Sequence, residues 1–247
     1  MQLKDKVAII TGGGSGIGLA ITELFIENGA HVHVLEMNPD ISIDSNGVVE
    51  IHQCNVADAA QVQEVIGGIC AKHDIDILVN NAGIAHIGNI EATTEADLDR
   101  LFAVNVKGVY NCIKASINSL KKTKGNILNM ASIGAHVGLE DRFAYNMTKG
   151  AVVTMTYCMA KDYIGQVRCN SISPARVHTP FVDGFIAKNY PGQEKEVFEK
   201  LSKTQPIGRM AEPFEVAELA MFVCSDKAKF MTGTDYPIDG GFLKLNT

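Results

Sequence analysis

The chain has 247 residues, of which 46% are hydrophobic and 20% are charged, and its formal net charge is −6. This length and composition predict one globular domain with a substantial core and exclude a disordered chain. The acidic balance and the lack of a basic stripe exclude a nucleic-acid partner. Because the sequence shows neither a signal-peptide pattern nor an apolar run of membrane-spanning length, we expect a cytoplasmic protein without a membrane partner.

The six cysteines are scattered along the chain without a C-x-x-C or other metal-ligand spacing. Most of them lie in apolar runs, which favours reduced cysteines in the core over disulfides and fits a cytoplasmic location. They are Cys54, Cys70, Cys112, Cys158, Cys169 and Cys224.

A glycine-rich segment follows the first predicted strand. The apolar run from Val7 to Ile10 is typical of a strand buried on both faces, and the segment 11–18 after it reads T-G-G-G-S-G-I-G. An apolar-periodic helix comes next. A glycine cluster alone would indicate only a tight turn, but between a strand and a helix it predicts a site for the pyrophosphate of a dinucleotide.

An acidic residue ends the second predicted strand, which runs from His31 to Leu35. Glu36 lies 18 residues beyond Gly18, close to the spacing at which a carboxylate reaches the ribose hydroxyls of the dinucleotide. The same carboxylate would repel a 2′-phosphate. The sequence therefore favours NAD over NADP.

Predicted strands and helices alternate along the rest of the chain. Further strands are predicted at 48–51, 76–79, 126–131, 167–172 and near 234–238, and helices at 95–120, 143–164 and 194–201, after Asp58 as an N-cap and from Pro213. The connection 37–47 is too short for a crossover helix. This pattern indicates a three-layer α/β domain over 1–247, a Rossmann-type doubly wound parallel sheet of about seven strands with helices on both faces. The long excursion 181–205 is expected to be a substrate lid.

The stretch from Ser132 to Lys149 is where we place the chemistry. Tyr145 and Lys149 stand one helical turn apart, so that an ammonium can lie near a phenol. This charge is expected to lower the phenol's pKa from about 10 toward a working acid/base. Ser132, at the end of the fifth predicted strand, offers a hydroxyl to a substrate oxygen. In isolation, the same spacing would also fit a surface lysine beside a half-buried tyrosine.

These motifs resemble the single-domain, NAD-dependent type of the short-chain dehydrogenase/reductase family, including its sugar and sugar-acid dehydrogenases. The glycine segment, N-N-A-G at 80–83, Asn105 and Ser132 with Tyr-x-x-x-Lys occur in the family's order. The resemblance implies that Tyr145 transfers a proton and that Lys149 holds the nicotinamide ribose. It also implies that Ser132 orients a carbonyl and that Asn105 positions a water molecule. The implied cofactor contacts are Gly12, Ser15, Gly16, Ile17, Gly18, Glu36, Asn55, Val56, Asn81, Ala82, Gly83, Tyr145, Lys149, Val177 and Thr179.

The chain departs from the family pattern at two places. Asn55 precedes Val56 where the family commonly has Asp, although the amide oxygen can still accept a hydrogen bond from adenine. Ala175 follows Pro174 where the family commonly has Gly. We therefore expect a shifted backbone beside the nicotinamide.

Three histidines and two arginines are candidates for substrate contacts. His86, His136 and His178 each follow a predicted strand and could meet in a pocket. A zinc triad is the alternative for them, but no ligand-type spacing supports it, so no metal is expected.

Arg142 and Arg176 flank the predicted site, and a guanidinium pair suits a carboxylate or a hydroxylated acid. An ion pair with Glu140 or Asp141 is the other interpretation of Arg142.

The sequence therefore predicts an NAD(H)-dependent oxidoreductase that interconverts a secondary alcohol and a ketone on a small hydroxylated molecule, such as a sugar, sugar acid or hydroxy acid. The alternatives are a 3-oxoacyl-thioester reductase, which Glu36 disfavours, and a non-catalytic dinucleotide sensor, which would not need both Tyr145 and Lys149. The predicted helix 143–164 is apolar on more than one side. We therefore expect a homotetramer or a homodimer.

Overall fold

The computed structural model describes residues 1–41, 43 and 49–245. Its sheet has seven parallel strands in the order β3-β2-β1-β4-β5-β6-β7. The strand order reverses between β1 and β4, which confirms the predicted doubly wound sheet and places a crevice at the carboxyl ends of these strands. The strands are Val7–Thr11 (β1), His31–Glu36 (β2), Val49–Gln53 (β3), Ile77–Asn80 (β4), Asn126–Met130 (β5), Arg168–Pro174 (β6) and Asp235–Ile238 (β7).

Helices cover both faces of the sheet and complete the three predicted layers. One face packs against α1 and α8, and the other against α2, α4 and α5. The helices are Gly16–Glu27 (α1), Ala59–Cys70 (α2), Glu95–Phe102 (α3), Gly108–Thr123 (α4), Phe143–Asp162 (α5), Pro180–Asn189 (α6), Glu194–Lys203 (α7), Pro213–Cys224 (α8) and Phe242–Leu245 (α9).

The protein has two hydrophobic cores, one on each face of the sheet, because the side chains of each strand alternate between the two faces. In β1, Ile10 faces the layer of α1 and α8, whereas Ile9 faces the layer of α2 and α4, and both side chains are fully buried. Successive side chains of a strand point to opposite faces, so an apolar run fills both layers at once.

Two helix boundaries follow from local chemistry. Asp58 caps α2 as predicted, because its carboxylate accepts hydrogen bonds from the backbone N–H groups of Ala60 and Gln61 at 3.0 and 3.1 Å. The predicted helix 95–120 is present but contains a π-helical turn, Ala103–Lys107, between α3 and α4. This turn surrounds Asn105, and such bulges are frequent at functional sites.

The long connections were predicted less completely. The excursion 181–205 contains α6 as well as the predicted α7. In the connection 37–47, the described residues 37–41 and 43 form no helix, and the remainder, together with Val48 of the predicted third strand, lies outside the described residues. The lid and the single-domain organisation stay predictions.

All six cysteines are free, and four of them are buried as predicted. Cys158 is an exception, because it lies exposed on α5 and not in the core. Its helix has apolar side chains on more than one face, which is why the sequence alone suggested burial. Among the described residues, no helix is both long and apolar enough to cross a membrane.

Candidate active site

A cleft of about 520 Å³ lies at the carboxyl ends of the central strands. It brings together residues from the segments after β4, β5 and β6 and from the start of α5. Ten of the residues predicted for the site line it: Ile17, Asn81, Gly83, Ser132, Arg142, Tyr145, Lys149, Arg176, Val177 and Thr179. The predicted convergence of these segments is therefore present in the fold.

The segment after β4 forms hydrogen bonds with the glycine segment and stabilises its conformation. The amide of Asn81 donates hydrogen bonds to the carbonyl oxygens of Thr11 and Gly12 at 3.1 and 2.9 Å. Gly12 has a φ of +63°, and a Cβ at Gly18 would overlap the Gly12 carbonyl oxygen. Only glycine allows both this turn and this close packing of loop and helix.

The other predicted cofactor residues lie around this loop. The Glu36 carboxylate accepts a hydrogen bond from the backbone N–H of Gly14 at 3.2 Å, so it stands directly beside the glycine segment. Asn55 uses its amide oxygen to accept from the backbone N–H of Ala57 at 3.0 Å, which leaves that oxygen a second lone pair. Thr179 packs across the loop, since its methyl carbon would lie 3.4 Å from a Cβ at Gly16. These residues fit a dinucleotide.

Three of the four predicted catalytic residues, Ser132, Tyr145 and Lys149, line the cleft. The Lys149 ammonium is buried and donates a hydrogen bond to the carbonyl oxygen of Met130 at 2.8 Å, 5.8 Å from the centre of the Tyr145 ring. The Ser132 side chain lies beside the Tyr145 phenol, where its hydroxyl favours the ionised form of the phenol and so lowers its pKa. Ser132 and the phenol can therefore contact the same substrate oxygen.

The electrostatics of the pair differ from the prediction. Burial raises the pKa of the Tyr145 phenol above its ordinary value, opposed by the hydroxyl of Ser132 and the charge of Arg142. Burial lowers the pKa of Lys149 to about 8. The net shift of the Tyr145 pKa is therefore opposite to the expected one, because desolvation outweighs the contributions that lower it, and the part of Lys149 in lowering it stays a prediction.

Asn105 has the partners that a buried amide requires. Its amide donates to the carbonyl oxygen of Ile84 at 2.9 Å and to the hydroxyl of Thr148 at 3.0 Å, and it accepts from the backbone N–H of Ile84 at 2.9 Å. A Cβ at Gly83 would lie 3.3 Å from the Asn105 oxygen and 3.5 Å from the Lys149 nitrogen. The glycine thus allows Asn105 and Lys149 to approach the same point.

The three candidate histidines lie outside the cleft and contact separate carboxylates. His86 is 3.8 Å from Asp97, His136 is 2.8 Å from Asp235, and His178 is 3.0 Å from Asp183. None of these histidines is among the described residues that line the cleft, and their contacts with substrate stay a prediction. Each strand end turns its histidine toward a different carboxylate, so the three imidazoles do not form one cluster among the described residues.

The two arginines do reach the cleft. Arg142 donates to the backbone carbonyl of Asp141 at 3.0 Å, and Arg176 donates to the hydroxyl of Thr204 at 3.0 Å. Within the described chain, neither guanidinium forms an ion pair with a carboxylate, including that of Glu140. Burial and the charge of Arg142 both lower the pKa of Arg176. Two like charges therefore approach each other in the cleft without a counter-ion from the described residues.

Several residues of the cleft were not predicted from the sequence. Gln205 follows α7, is 2% exposed, and has a buried amide oxygen for which the described residues provide no hydrogen-bond partner. The remaining unpredicted lining includes Leu139, Val182, Met210 and Phe242. The length of the excursion 181–205 was the only signal for Val182 and Gln205, and it indicated a segment over the cleft but not its side chains.

Comparison with known proteins agrees with this geometry. The family profile described as enoyl-(acyl carrier protein) reductase matches residues 12–243. The chain belongs to the short-chain dehydrogenase/reductase family. Membership makes it an oxidoreductase that acts on alcohol or ketone groups with a nicotinamide dinucleotide cofactor.

The relatives cover nearly the whole chain. The NADP-dependent (R)-specific alcohol dehydrogenase of Lentilactobacillus kefiri is 36% identical over 98% of both chains. The 2-keto-3-deoxy-L-fuconate dehydrogenase of Xanthomonas campestris is 33% identical over 98% of this chain and 81% of that protein. The ligand-free aldohexose dehydrogenase of Thermoplasma acidophilum superposes with a TM-score of 0.92 at 32% identity, over 98% of this chain and 95% of that chain.

Proposed function

We propose that this short-chain dehydrogenase/reductase uses NAD(H) to interconvert a secondary alcohol and a ketone on a small hydroxylated acid, such as a sugar acid or another hydroxy acid. The observation that carries the proposal is the pair Arg142 and Arg176, which line the cleft beside Tyr145 without a carboxylate partner in the described chain. A carboxylate on the substrate would supply the missing counter-ion.

The physical argument for an acid rests on charge. Two guanidinium groups that are partly removed from water repel each other, and this repulsion contributes to the lowered pKa of Arg176. A bound carboxylate would offset the repulsion and accept forked hydrogen bonds. The relative that acts on 2-keto-3-deoxy-L-fuconate has a substrate of this class in its name. The unpartnered amide oxygen of Gln205 would accept a hydrogen bond from a substrate hydroxyl.

The preference for NAD rests on Glu36. Its carboxylate stands beside the backbone of Gly14, where the ribose hydroxyls of the adenosine half would lie. A 2′-phosphate at the same place would meet a like charge. Because a relative of this chain is named as NADP-dependent, family membership alone does not decide between the two cofactors.

The chain's own residues would carry the proton chemistry, while the dinucleotide supplies or accepts the hydride. Since the pKa of Tyr145 is raised, the phenol holds its proton at neutral pH and can donate it to a carbonyl oxygen during reduction. Ser132 would hold the same oxygen by a hydrogen bond. Lys149 would hold the nicotinamide ribose, and Asn105 would position a water molecule near the ammonium.

Three further proposals concern the whole protein. We expect it to form a homotetramer or homodimer, because the exposed face of α5 includes Phe143, Met147 and Tyr157, which are 39–45% exposed. We also keep the proposals of a cytoplasmic location and of a lid formed by the excursion 181–205.

The first experiment is a screen for oxidation with NAD⁺ that pairs each acid with a neutral counterpart, for example a sugar acid with the corresponding sugar. We expect the acid of a productive pair to be preferred. Arg176→Ala should raise KM for this acid by about 10–100-fold, because a charge-assisted hydrogen bond contributes about 1.5–3 kcal/mol. KM for the neutral counterpart and the affinity for NAD⁺ should change little.

Arg100→Ala provides the matched control, because Arg100 is an exposed arginine that pairs with Asp97 on α3, away from the cleft. It should leave all three quantities unchanged. Equal rates for acids and neutral sugars, with no change of KM in Arg176→Ala, would remove the acid from the proposal. Turnover of 3-oxoacyl thioesters with NADPH, and of no hydroxylated substrate, would replace the proposed function by the thioester reductase.

A further inference from the structure

A cluster of histidines lies toward the amino-terminal ends of β2 and β3, whereas the cleft lies at the carboxyl ends of the strands. His31 and His33 alternate along β2 and therefore point to the same face of the sheet. The parallel register pairs His33 with Glu50 of β3, so Glu50 faces this side as well. His73 follows α2, which packs on this face. Topology thus brings three imidazoles and a carboxylate together from three segments.

The distances within the cluster are short. Each of these four residues offers one ligand atom, and all four atoms lie within 4.8 Å of one another. His31 is 3.2 Å from the Glu50 carboxylate. The ring centres of His31 and His33 are 4.7 Å apart, and those of His31 and His73 are 5.2 Å apart.

His33 lies at the centre of the cluster and lacks a partner for one nitrogen. Its side chain is only 2% exposed. Nδ1 lies 3.1 Å from Nε2 of His52, whereas Nε2 is buried and has no hydrogen-bond partner among the described residues. A buried polar atom without a partner is rare in folded proteins, because its interaction with water is lost and not replaced.

We propose that this cluster, which is separate from the dehydrogenase cleft, binds a divalent transition-metal ion of the zinc type through four side chains: His31, His33, Glu50 and His73. Imidazole nitrogen with carboxylate oxygen is a donor set that Zn²⁺ prefers. Ligand atoms around a tetrahedral zinc ion are about 3.4 Å apart, so the cluster must contract slightly on binding. The partly exposed side chains of His31, Glu50 and His73 leave room for this movement.

Two consequences follow for the fold. His52 becomes a positioning residue, because its contact with Nδ1 of His33 fixes the orientation of that ring. The ion would also connect the edge strand β3 to β2 and to the segment after α2. An ion that binds only the folded chain raises its thermal stability, by an amount that grows with the logarithm of the ligand excess.

The test uses the full chain produced without a polyhistidine tag, stripped of metal by EDTA and then dialysed. Equilibrium dialysis against Zn²⁺ with excess Mg²⁺ should give about one Zn²⁺ per chain, with a rise in the thermal midpoint. Because His33 is buried, the variants change partly exposed ligands. The double variant His31→Ala with His73→Ala should bind Zn²⁺ at least about tenfold more weakly and lose the rise in midpoint.

His178→Ala is the matched control, because it removes one half-exposed imidazole with carboxylate partners elsewhere in the chain. It should bind Zn²⁺ like the wild type, and the conservative change Glu50→Gln should bind with intermediate affinity. The proposal is overturned if the wild type binds no Zn²⁺, or if the double variant binds it as tightly as the wild type. A loss of binding in His178→Ala equal to that in the double variant would also overturn it.

Discussion

The chain contains three Tyr-x-x-x-Lys pairs, and two of them lie in opposite surroundings: Tyr145 with Lys149, called the α5 pair here, and Tyr110 with Lys114, called the α4 pair. On α5, Lys149 is buried, donates to a backbone carbonyl, and lies 5.8 Å from the centre of the Tyr145 ring. On α4, the exposed Lys114 lies 3.0 Å from the hydroxyl of Tyr110, which is 50% exposed. The spacing is the same in both pairs. What distinguishes them is burial and the backbone partner, which hold the α5 ammonium in a cleft, whereas the α4 pair is a solvated contact of little energetic weight.

Removing the phenol hydroxyl of each pair tests whether the two tyrosines differ in function. Tyr145→Phe should lower turnover by about 10²–10⁴-fold, the range for losing general acid–base catalysis, because the ring packs as before but has no proton to donate. Cofactor affinity should remain nearly normal. Tyr110→Phe is the matched control and should retain full turnover. Steady-state rates on the best substrate of the screen, with cofactor titration, provide the measurement.

A folded Tyr145→Phe protein with wild-type turnover would show that the α5 pair is as inert as the α4 pair. A loss of cofactor binding as large as the loss of turnover would instead indicate a structural role for Tyr145.

The two lysines should also differ in their effect on the free energy of unfolding. Burial lowers the pKa of Lys149 to about 8, so below pH 8 the folded chain carries a charge that burial disfavours. Lys149→Met should therefore raise the free energy of unfolding at pH 7 by about 1–3 kcal/mol. This range is the free energy that corresponds to the pKa shift, minus the stabilisation that is lost with the hydrogen bond to Met130. Both turnover and cofactor affinity should fall, because the ribose contact is removed.

The sign of the pH dependence of wild-type stability follows from the lowered pKa of Lys149. Between pH 8 and the ordinary lysine value of about 10.4, the unfolded wild type binds more protons than the folded one, so wild-type stability rises with pH. The advantage of Lys149→Met should therefore shrink over this window in denaturant titrations. Lys114→Met, at the exposed pair, should show neither the gain nor its pH dependence. A destabilised Lys149→Met chain at pH 7 would contradict the stated cost of the buried ammonium.

The contrast between the pairs also shows which parts of the molecule a sequence can predict. The alternation of strands and helices and the place of the glycine segment follow from local patterns, because apolar runs, glycines and N-N-A-G act through backbone geometry near in sequence. The π-helical turn at Asn105 does not follow, since the apolar period of 95–120 continues through it. The Tyr-x-x-x-Lys spacing identified the correct pair only through the motifs around it.

The substrate side was harder to predict because its contacts join distant segments. His136 contacts Asp235, and Arg176 contacts Thr204, across separations that no local pattern records. The histidine cluster was missed for the same reason. His33 and Glu50 become neighbours only through the register of β2 and β3, and His73 arrives from the end of a helix.

Two glutamates differ in the same way as the two tyrosine–lysine pairs, because one is hydrogen-bonded near the cofactor site and the other is exposed to solvent. Glu36 is held beside the glycine segment by the backbone N–H of Gly14, whereas Glu23 is exposed on α1. Glu36→Ala should narrow the preference for NAD over NADP by about tenfold, because it removes the proposed hydrogen bond to the ribose and the repulsion of a 2′-phosphate, and tenfold corresponds to about 1.4 kcal/mol. Titration of both cofactors against wild type, Glu36→Ala and Glu23→Ala measures this ratio, which the Glu23 variant should leave unchanged. Wild-type protein that binds NADP as tightly as NAD would refute the role of Glu36, whatever the variants do.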